Sequence, residues 1–366
     1  MTSPSLATEL RDTLLWLCAI DSPIGEEAAI CDAVKARLER LPLAAPIRRY
    51  SHSIVVPVSR GAKAKGRPHV ALCGHFDTVR TENGKARIEG DRVFGAGASD
   101  MKSGLAVMIA LAEHWHALGA DCDLTLVFYA REEGPFAENE LGPVLAEDKE
   151  LLGIDLAVCL EPSDNKMHLG CCGSIHAELT FEGKTGHSAR PWEGDNAIYR
   201  GAAFLTDIAS AKPEECELEG VTYRSVFTVT RAWDGGRGRN IVPDRFVVNL
   251  NHRFAPKYSL EEAEQNLRRL VGDRARIHIT DLSPAAPPNA ANPLVRALAA
   301  SGVAGVAPKQ AWTDVARFAA LGIPAVNLGP GENAQAHQKN ESTGVGLIVE
   351  GYEIFRRWLT DLPSSS

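Results

Sequence analysis

Three short apolar runs constrain the fold of this 366-residue chain more than any other feature. His69 to Gly74, Asp123 to Ala130 and Asp155 to Leu160 read as strands, each ending at a glycine, an acidic residue or a proline. Between the first two lies a helical stretch, Ser103 to Leu118, in which Leu105, Met108, Ile109, Leu111 and Ala112 supply one apolar face. Strands alternating with amphipathic helices pack as helices on a mostly parallel sheet, so the first half predicts an α/β fold. Ala325 to Leu328 reads as a strand returning to that core.

Between about residues 175 and 287 the order changes. It becomes strand (Ile175 to Phe181), helix (Asn196 to Ser210), strand (Ser225 to Ala232), strand (Arg245 to Phe254), helix (Leu260 to Val271), strand (Ala275 to Thr280). That is the split β-α-β order of a ferredoxin-like α+β module. The pattern predicts a discontinuous larger domain, residues 1–174 and 288–366, with a smaller one, residues 175–287, inserted as a unit. The Pro/Ala-rich stretch Ser283 to Pro293 reads as a linker, and Ser364 to Ser366 as a frayed end.

A formal charge of -8 without a clustered basic face argues against a dedicated nucleic-acid binder. No apolar stretch reaches membrane-spanning length, and the start lacks the basic segment of a signal peptide, so a cytoplasmic, soluble chain without a membrane partner is expected. The eight cysteines form no C-x-x-C pair and read as reduced, mostly buried thiols.

Histidine and acidic residues collect just beyond the C-terminal ends of the predicted strands, where an open α/β sheet gathers its ligands. His75-Phe76-Asp77 follows the first run, Glu132-Glu133 the second and Glu161-Pro162 the third. Asp100 lies within Gly97 to Gly104, and His337 follows the turn Asn327 to Gly331. Singly, each has a plainer reading: His75 as a hydrogen-bonded histidine, Asp77 as a turn former, Asp100 as a helix cap, the glutamates as solvated charges. Together they crowd one sheet edge with carboxylates, which is costly without cations. Two imidazoles and several carboxylates suit zinc. Asp77, two residues from His75 in extended chain, shares its side and can orient the imidazole. Spacing alone does not say which of Glu132 and Glu133 binds metal and which faces a water.

The runs Gly74 to Val79, Ala98 to Gly104 and Arg131 to Gly134 resemble the dinuclear zinc peptidase and deacylase family. Supporting segments are Gly186 to Arg190, Gly194 to Ile198, Asn240 to Asp244, Asn251 to Pro256, Trp312 to Phe318, and Gly329-Pro330-Gly331 before Ala336-His337, so the resemblance spans nearly the whole chain. It implies hydrolysis of a linear amide in a small anionic N-acyl amino acid, with two Zn2+ per subunit and Co2+ as a candidate substitute. A related metallocarboxypeptidase, or a binding protein without turnover, is the rival reading. By motif, Asp100 bridges both metals, His75 and Glu161 bind one, Glu133 and His337 bind the other, Glu132 is the general base, and Asp77 assists.

The resemblance also implies that the inserted module is a lid and dimerisation domain of a homodimer. His187 would then donate to an oxyanion in the neighbouring subunit, and Asn240, Arg253 and Thr313 would reach the substrate. Without it, His187 reads as a loop cap, Asn240 as an Asx turn and Arg253 as a surface charge. Arg237 and Arg239 could help attract an anion. The resemblance further implies a cis peptide at Asp100-Met101. Two stretches depart from the family pattern: Cys171-Cys172 stands where a pair of arginines is usual, and Gly134 to Asn139 is not the usual run.

Overall fold

The computed structural model describes residues 5–60, 66–120, 122–234 and 238–362; Arg237 and the end at Ser364 to Ser366 lie outside them. The chain divides into two compact units, one made of Met1–Gly170, Pro288–Pro308 and Asp314–Ser366, the other of Cys171–Pro287 and Lys309–Thr313.

In the first unit an eight-stranded sheet runs Arg48–Tyr50, Ser53–Pro57, Asp123–Tyr129, His69–His75, Leu156–Cys159, Ala325–Asn327, Met167–Leu169, Val306–Pro308. The four central strands, from Asp123–Tyr129 to Ala325–Asn327, are mutually parallel, so their C-terminal ends open on the same edge. Their residues are buried almost without exception, as both faces of a covered parallel sheet require.

The helix Lys102–Leu118 is buried all round from Lys102 to Ala112, where the sequence suggests a single apolar face. The cause is its company: it packs on His69–His75 and also against the helices Leu6–Cys18 and Val345–Thr360. Gly74 permits the approach, since a Cβ there would lie 2.6 Å from side-chain atoms of Leu105 and Met101. No helix among the described residues is long and apolar enough to cross a membrane.

The second unit holds a five-stranded antiparallel sheet in the order Glu214–Leu218, Val221–Asp234, Arg245–Phe254, Gly173–Glu182, Arg276–Ser283. Ile175, Ala177, Leu179 and Phe181 alternate onto one face and meet Phe204 and Ile208 of the helix Ala197–Ser210 and Ala263, Leu267 and Val271 of the helix Leu260–Val271. Both helices start as their sequences dictate. Asn196 Oδ1 accepts from Ile198 N at 2.9 Å, and Ser259 with Glu262 forms a capping box.

Three features differ from the sequence reading. Glu214–Leu218 is an additional edge strand, joined to Val221–Asp234 by a tight turn at Glu219-Gly220, both at positive φ. The units part at Gly170/Cys171 rather than at 174/175, and Lys309–Thr313 clusters with the second unit instead of the first. Cys172 N donates to Lys309 O at 3.0 Å and Trp312 Nε1 to Pro284 O at 3.0 Å, which ties that segment down. The expected linker begins inside structure, because Ser283 ends a strand and Ala286 pairs with Cys171.

Candidate metal centre

The C-terminal edge of the central strands carries His75, Glu132, Glu133 and Glu161, with Asp100 and His337 on loops that meet it. His75 ends its strand with its side chain fully buried. Glu132 and Glu133 follow Asp123–Tyr129 across Arg131, a non-glycine residue at φ 63, and Glu161 stands two residues past Leu156–Cys159. Asp100 directly precedes Met101 and the helix Lys102–Leu118, and the Asp100-Met101 peptide is cis. His337, also at positive φ (60), follows the turn Gly329 to Gly331. A Cβ on Gly329 would lie 2.2 Å from the Leu160 carbonyl oxygen and one on Gly331 2.2 Å from that of Ser99, so only glycine lets this turn close on the loops bearing Glu161 and Asp100.

Asp77 organises the edge. Its backbone carbonyl accepts from His75 Nδ1 at 3.0 Å, which commits that nitrogen as the donor and turns Nε2 toward Asp100. Its carboxylate stands 3.5 Å from the same Nδ1 but accepts from two other groups, Glu132 N at 3.0 Å and Glu133 N at 2.9 Å. One buried acid therefore sets both the imidazole and the backbone of the glutamate pair.

Asp100 faces an imidazole from each oxygen. His75 Nε2 lies 3.4 Å from Oδ1 and His337 Nε2 lies 3.4 Å from Oδ2, while His337 Nε2 also meets Glu133 Oε1 at 2.8 Å. Ligand atoms of His75, Asp100 and Glu161 fall within 4.8 Å of one another, as do those of Asp100, Glu133 and His337. Asp100 is common to both groups. A third group of the same span joins His75, Glu132 and Glu133, which puts Glu132 at the same place. Among the described residues, the buried atoms His75 Nε2 and Asp100 Oδ1 have no hydrogen-bond partner, as atoms directed at a cation would. The donor set is nitrogen and oxygen throughout and fits zinc.

The electrostatics favour positive charge here. Burial opposes a charged His75, but Asp100 and Asp77 outweigh it and hold its pKa well above the usual imidazole value. Asp100 and then Glu133 lift His337 to about 10. Burial alone would raise Asp100, but His337 and His75 pull it below the usual carboxylate range. Glu132 goes the other way, since burial first and Glu161 second push its carboxyl well above the ordinary value.

Two acids that the sequence analysis gave no role lie beside these groups. Glu341, 2% exposed, accepts from the backbone amides of Gly97, Ser99 and Asp100. Asp314, fully buried, accepts from Asn139 Nδ2 at 3.0 and 2.9 Å and from Arg317 Nε at 2.7 Å. Arg317 in turn lies 3.9 Å over the Phe136 ring. The unusual run Gly134 to Asn139 is thus fastened to the helix Val315–Ala320 by Phe136 and Asn139. Apart from the Asp314–Arg317 pair three residues apart, the partners of both acids are far away in sequence, so no local pattern marks them.

The remaining sequence-predicted residues belong to the second unit. His187 is exposed, and its Nδ1 accepts from Ala189 N at 3.0 Å, so in the neutral ring Nε2 carries the proton. Asn240 is exposed, and its carbonyl accepts from Ser188 N at 2.9 Å. Arg253 is partly buried, and burial lowers its pKa; its Nε donates to Asn251 Oδ1 at 3.1 Å, while Asn251 is held by Ser174 Oγ at 3.1 Å. Thr313 is buried, and its hydroxyl has no partner among the described residues. Arg239 is exposed. All eight cysteines are buried, and burial pushes the Cys172 thiol up to about 12, which disfavours its nucleophilic thiolate.

Residues 71–361 match the model of peptidase family M20/M25/M40. The chain is similar to one from Mycobacterium tuberculosis (strain H37Rv) that carries the name succinyl-diaminopimelate desuccinylase, with 38% identity over 94% of this chain and 96% of that one. It is also similar to the succinyl-diaminopimelate desuccinylase of Corynebacterium glutamicum, with 33% identity over 94% of each. Among solved structures, aminopeptidase PepT from Bacillus cereus superposes with a TM-score of 0.79 at 18% identity, covering 97% of this chain and 98% of that one. A dinuclear metal-binding peptidase from Bacillus subtilis does so with a TM-score of 0.71 at 14% identity, covering 97% of each. These two likenesses are of fold.

Proposed function

Since the chain belongs to peptidase family M20/M25/M40, we propose that it is a zinc-dependent succinyl-diaminopimelate desuccinylase, hydrolysing N-succinyl-LL-2,6-diaminopimelate to succinate and LL-2,6-diaminopimelate. The observation that carries the substrate is the full-length likeness to two chains of that name. The reaction would feed lysine synthesis, in the cytoplasm.

In this reading His75, Glu161 and Asp100 would hold one Zn2+, and Glu133, His337 and the shared Asp100 would hold a second. The shared carboxylate and the metal-binding peptidase fold support two ions. When bound, the pair supplies Lewis acidity, acidifying a water and polarising the amide carbonyl. Glu132 takes the proton of the attacking water and returns it to the departing amine. Burial and then Glu161 raise the pKa of that carboxyl, which makes its ionised form a stronger base. Asp77 keeps His75 and both glutamates in place.

His187 presents Nε2–H to the oxyanion, and the Ala189 N–H on Nδ1 is what selects that tautomer. Arg253, oriented by Asn251, pairs with a substrate carboxylate in bidentate fashion, and Asn240 and Thr313 add hydrogen bonds. The Thr313 hydroxyl has no other partner among the described residues. The second unit also serves dimerisation. Trp192 and Tyr199 are 77% and 76% exposed, and Ile241, paired with His187 across two short strands, is 36% exposed; apolar side chains so exposed suit a second copy.

Parallel assays with N-succinyl-LL-2,6-diaminopimelate and N-acetylornithine, with and without added zinc, test the reading. The succinylated substrate is expected to be preferred by about 100-fold or more in kcat/KM. Equal or reversed preference would reassign the chain to another N-acyl-amino-acid deacylase.

A further inference from the structure

Glu341 ligates nothing in the scheme above, yet it is the acid on which the Asp100 loop is hung. The short strand Ser342–Gly344 pairs antiparallel with Arg92–Phe94, Ser342 opposite Phe94. That register carries Glu341 alongside the chain leaving Phe94, where Gly95 N donates to the Glu341 carbonyl at 3.0 Å. The side chain continues along the loop: Oε1 accepts from Ser99 N at 2.7 Å and Asp100 N at 2.8 Å, and Oε2 accepts from Gly97 N at 3.1 Å. Asn83 Oδ1 accepts from Glu341 N at 2.8 Å and holds the residue from behind. Residues 95–101 form neither helix nor strand, so these amides have no ladder to join. A carboxylate supplies them with charge-assisted acceptors in the interior, where an unmade bond is expensive.

We infer that Glu341 is a positioning residue for the metal centre, fixing the direction of the Asp100 carboxylate through three backbone amides. It lies four residues after His337, so one segment sets both the bridging acid and a terminal histidine. The arrangement repeats what Asp77 does for Glu132 and Glu133, with an acid holding the backbone of a ligand-bearing loop. This inference rests on the reading of Asp100 and His337 as metal ligands.

The test uses the full-length protein with Glu341→Ala and Glu341→Gln. Amide exchange is followed in the metal-free protein, and zinc affinity is measured by titration. In Glu341→Ala the amides of Gly97, Ser99 and Asp100 are expected to exchange at least ~10-fold faster while those of Asp123–Tyr129 keep their rates. Zinc affinity should fall by about 10- to 100-fold, and kcat should fall with KM little changed. Glu341→Gln keeps an acceptor for Ser99 and Asp100 and loses that for Gly97, so smaller shifts of the same sign are expected.

Wild-type exchange and zinc affinity in folded Glu341→Ala would overturn the inference. If that variant does not fold, wild-type values in Glu341→Gln would overturn it equally. Faster local exchange with unaltered zinc affinity would overturn the metal-positioning role. Amide exchange and zinc affinity do not involve substrate, so a wrong assignment of the substrate leaves those two results standing.

Discussion

Glu132 and Glu133 are chemically identical neighbours that meet different surroundings. Glu133 reaches His337 Nε2 at 2.8 Å, whereas Glu132 is pushed toward its protonated form by burial and by Glu161. Their separation comes from Asp77, which accepts from both backbone amides and so fixes the turn between the side chains. If Glu132 carries the proton and Glu133 the metal, Glu132→Gln removes a proton carrier and no ligand. Hydrolysis should drop by roughly 10²- to 10⁴-fold with metal content unchanged. Elemental analysis alongside kcat decides the matter: loss of about one zinc per chain in that variant would mean that the two roles are exchanged.

Among the elements, the strand Arg245–Phe254 shows how sheet geometry tunes a single group. His252 on this strand is 2% exposed and stacks on Phe227 of the neighbouring strand, with ring centroids 4.0 Å apart. Burial lowers its pKa to about 4, against opposing contributions from the Ala263 backbone and Glu214. The unfolded chain therefore binds this proton more readily than the folded one. The contribution to stability is present above about pH 6.5 and is lost as pH falls toward 4. Between pH 7 and pH 4.5 it amounts to roughly 2–3 kcal/mol. His252→Phe keeps the ring stack and removes the titration, so its stability should fall less over that interval by about this amount. Denaturant unfolding at both pH values measures it, and equal acid losses in the two proteins would show that His252 is not responsible.

For the whole molecule, the proposal that matters most is that catalysis requires two copies of the chain. His187 sits on the inserted unit beside exposed apolar side chains, and none of the proposed metal ligands belongs to that unit. If His187 serves the partner's site, an isolated monomer lacks an oxyanion donor worth about 3–4 kcal/mol of barrier. Mixed dimers of His187→Ala and Glu132→Ala chains, isolated with two different tags, separate the alternatives. Action in trans leaves one site with both groups intact, and about half the wild-type activity should return. A mixed dimer as inactive as its parents would place His187 in its own subunit's site.

What could be read from the sequence was whatever depends on near neighbours. Apolar runs and punctuation mark the central strands, the capping signals at Asn196 and Ser259 start their helices, and the strand and helix order marks the inserted module. Periodicity reports which face of an element is buried, and that is a property of a dozen consecutive residues. It also placed His75, Asp100, Glu132, Glu133, Glu161 and His337 at strand ends or turns, and the tertiary structure brings all six together. The strand Glu214–Leu218 escaped because its charged residues obscure its alternation, although Glu219-Gly220 carried a turn signal. Only the tertiary structure shows Glu133 against His337, Asp77 holding the amides of both glutamates, and Asn139 reaching Asp314. It alone placed Glu341 against the Asp100 loop. Gly97 and Glu341 are separated by 244 residues, and Asn139 and Asp314 by 175. Such contacts depend on which strands become neighbours and in what register, a choice made by burial across the whole core and written in no local stretch of chain.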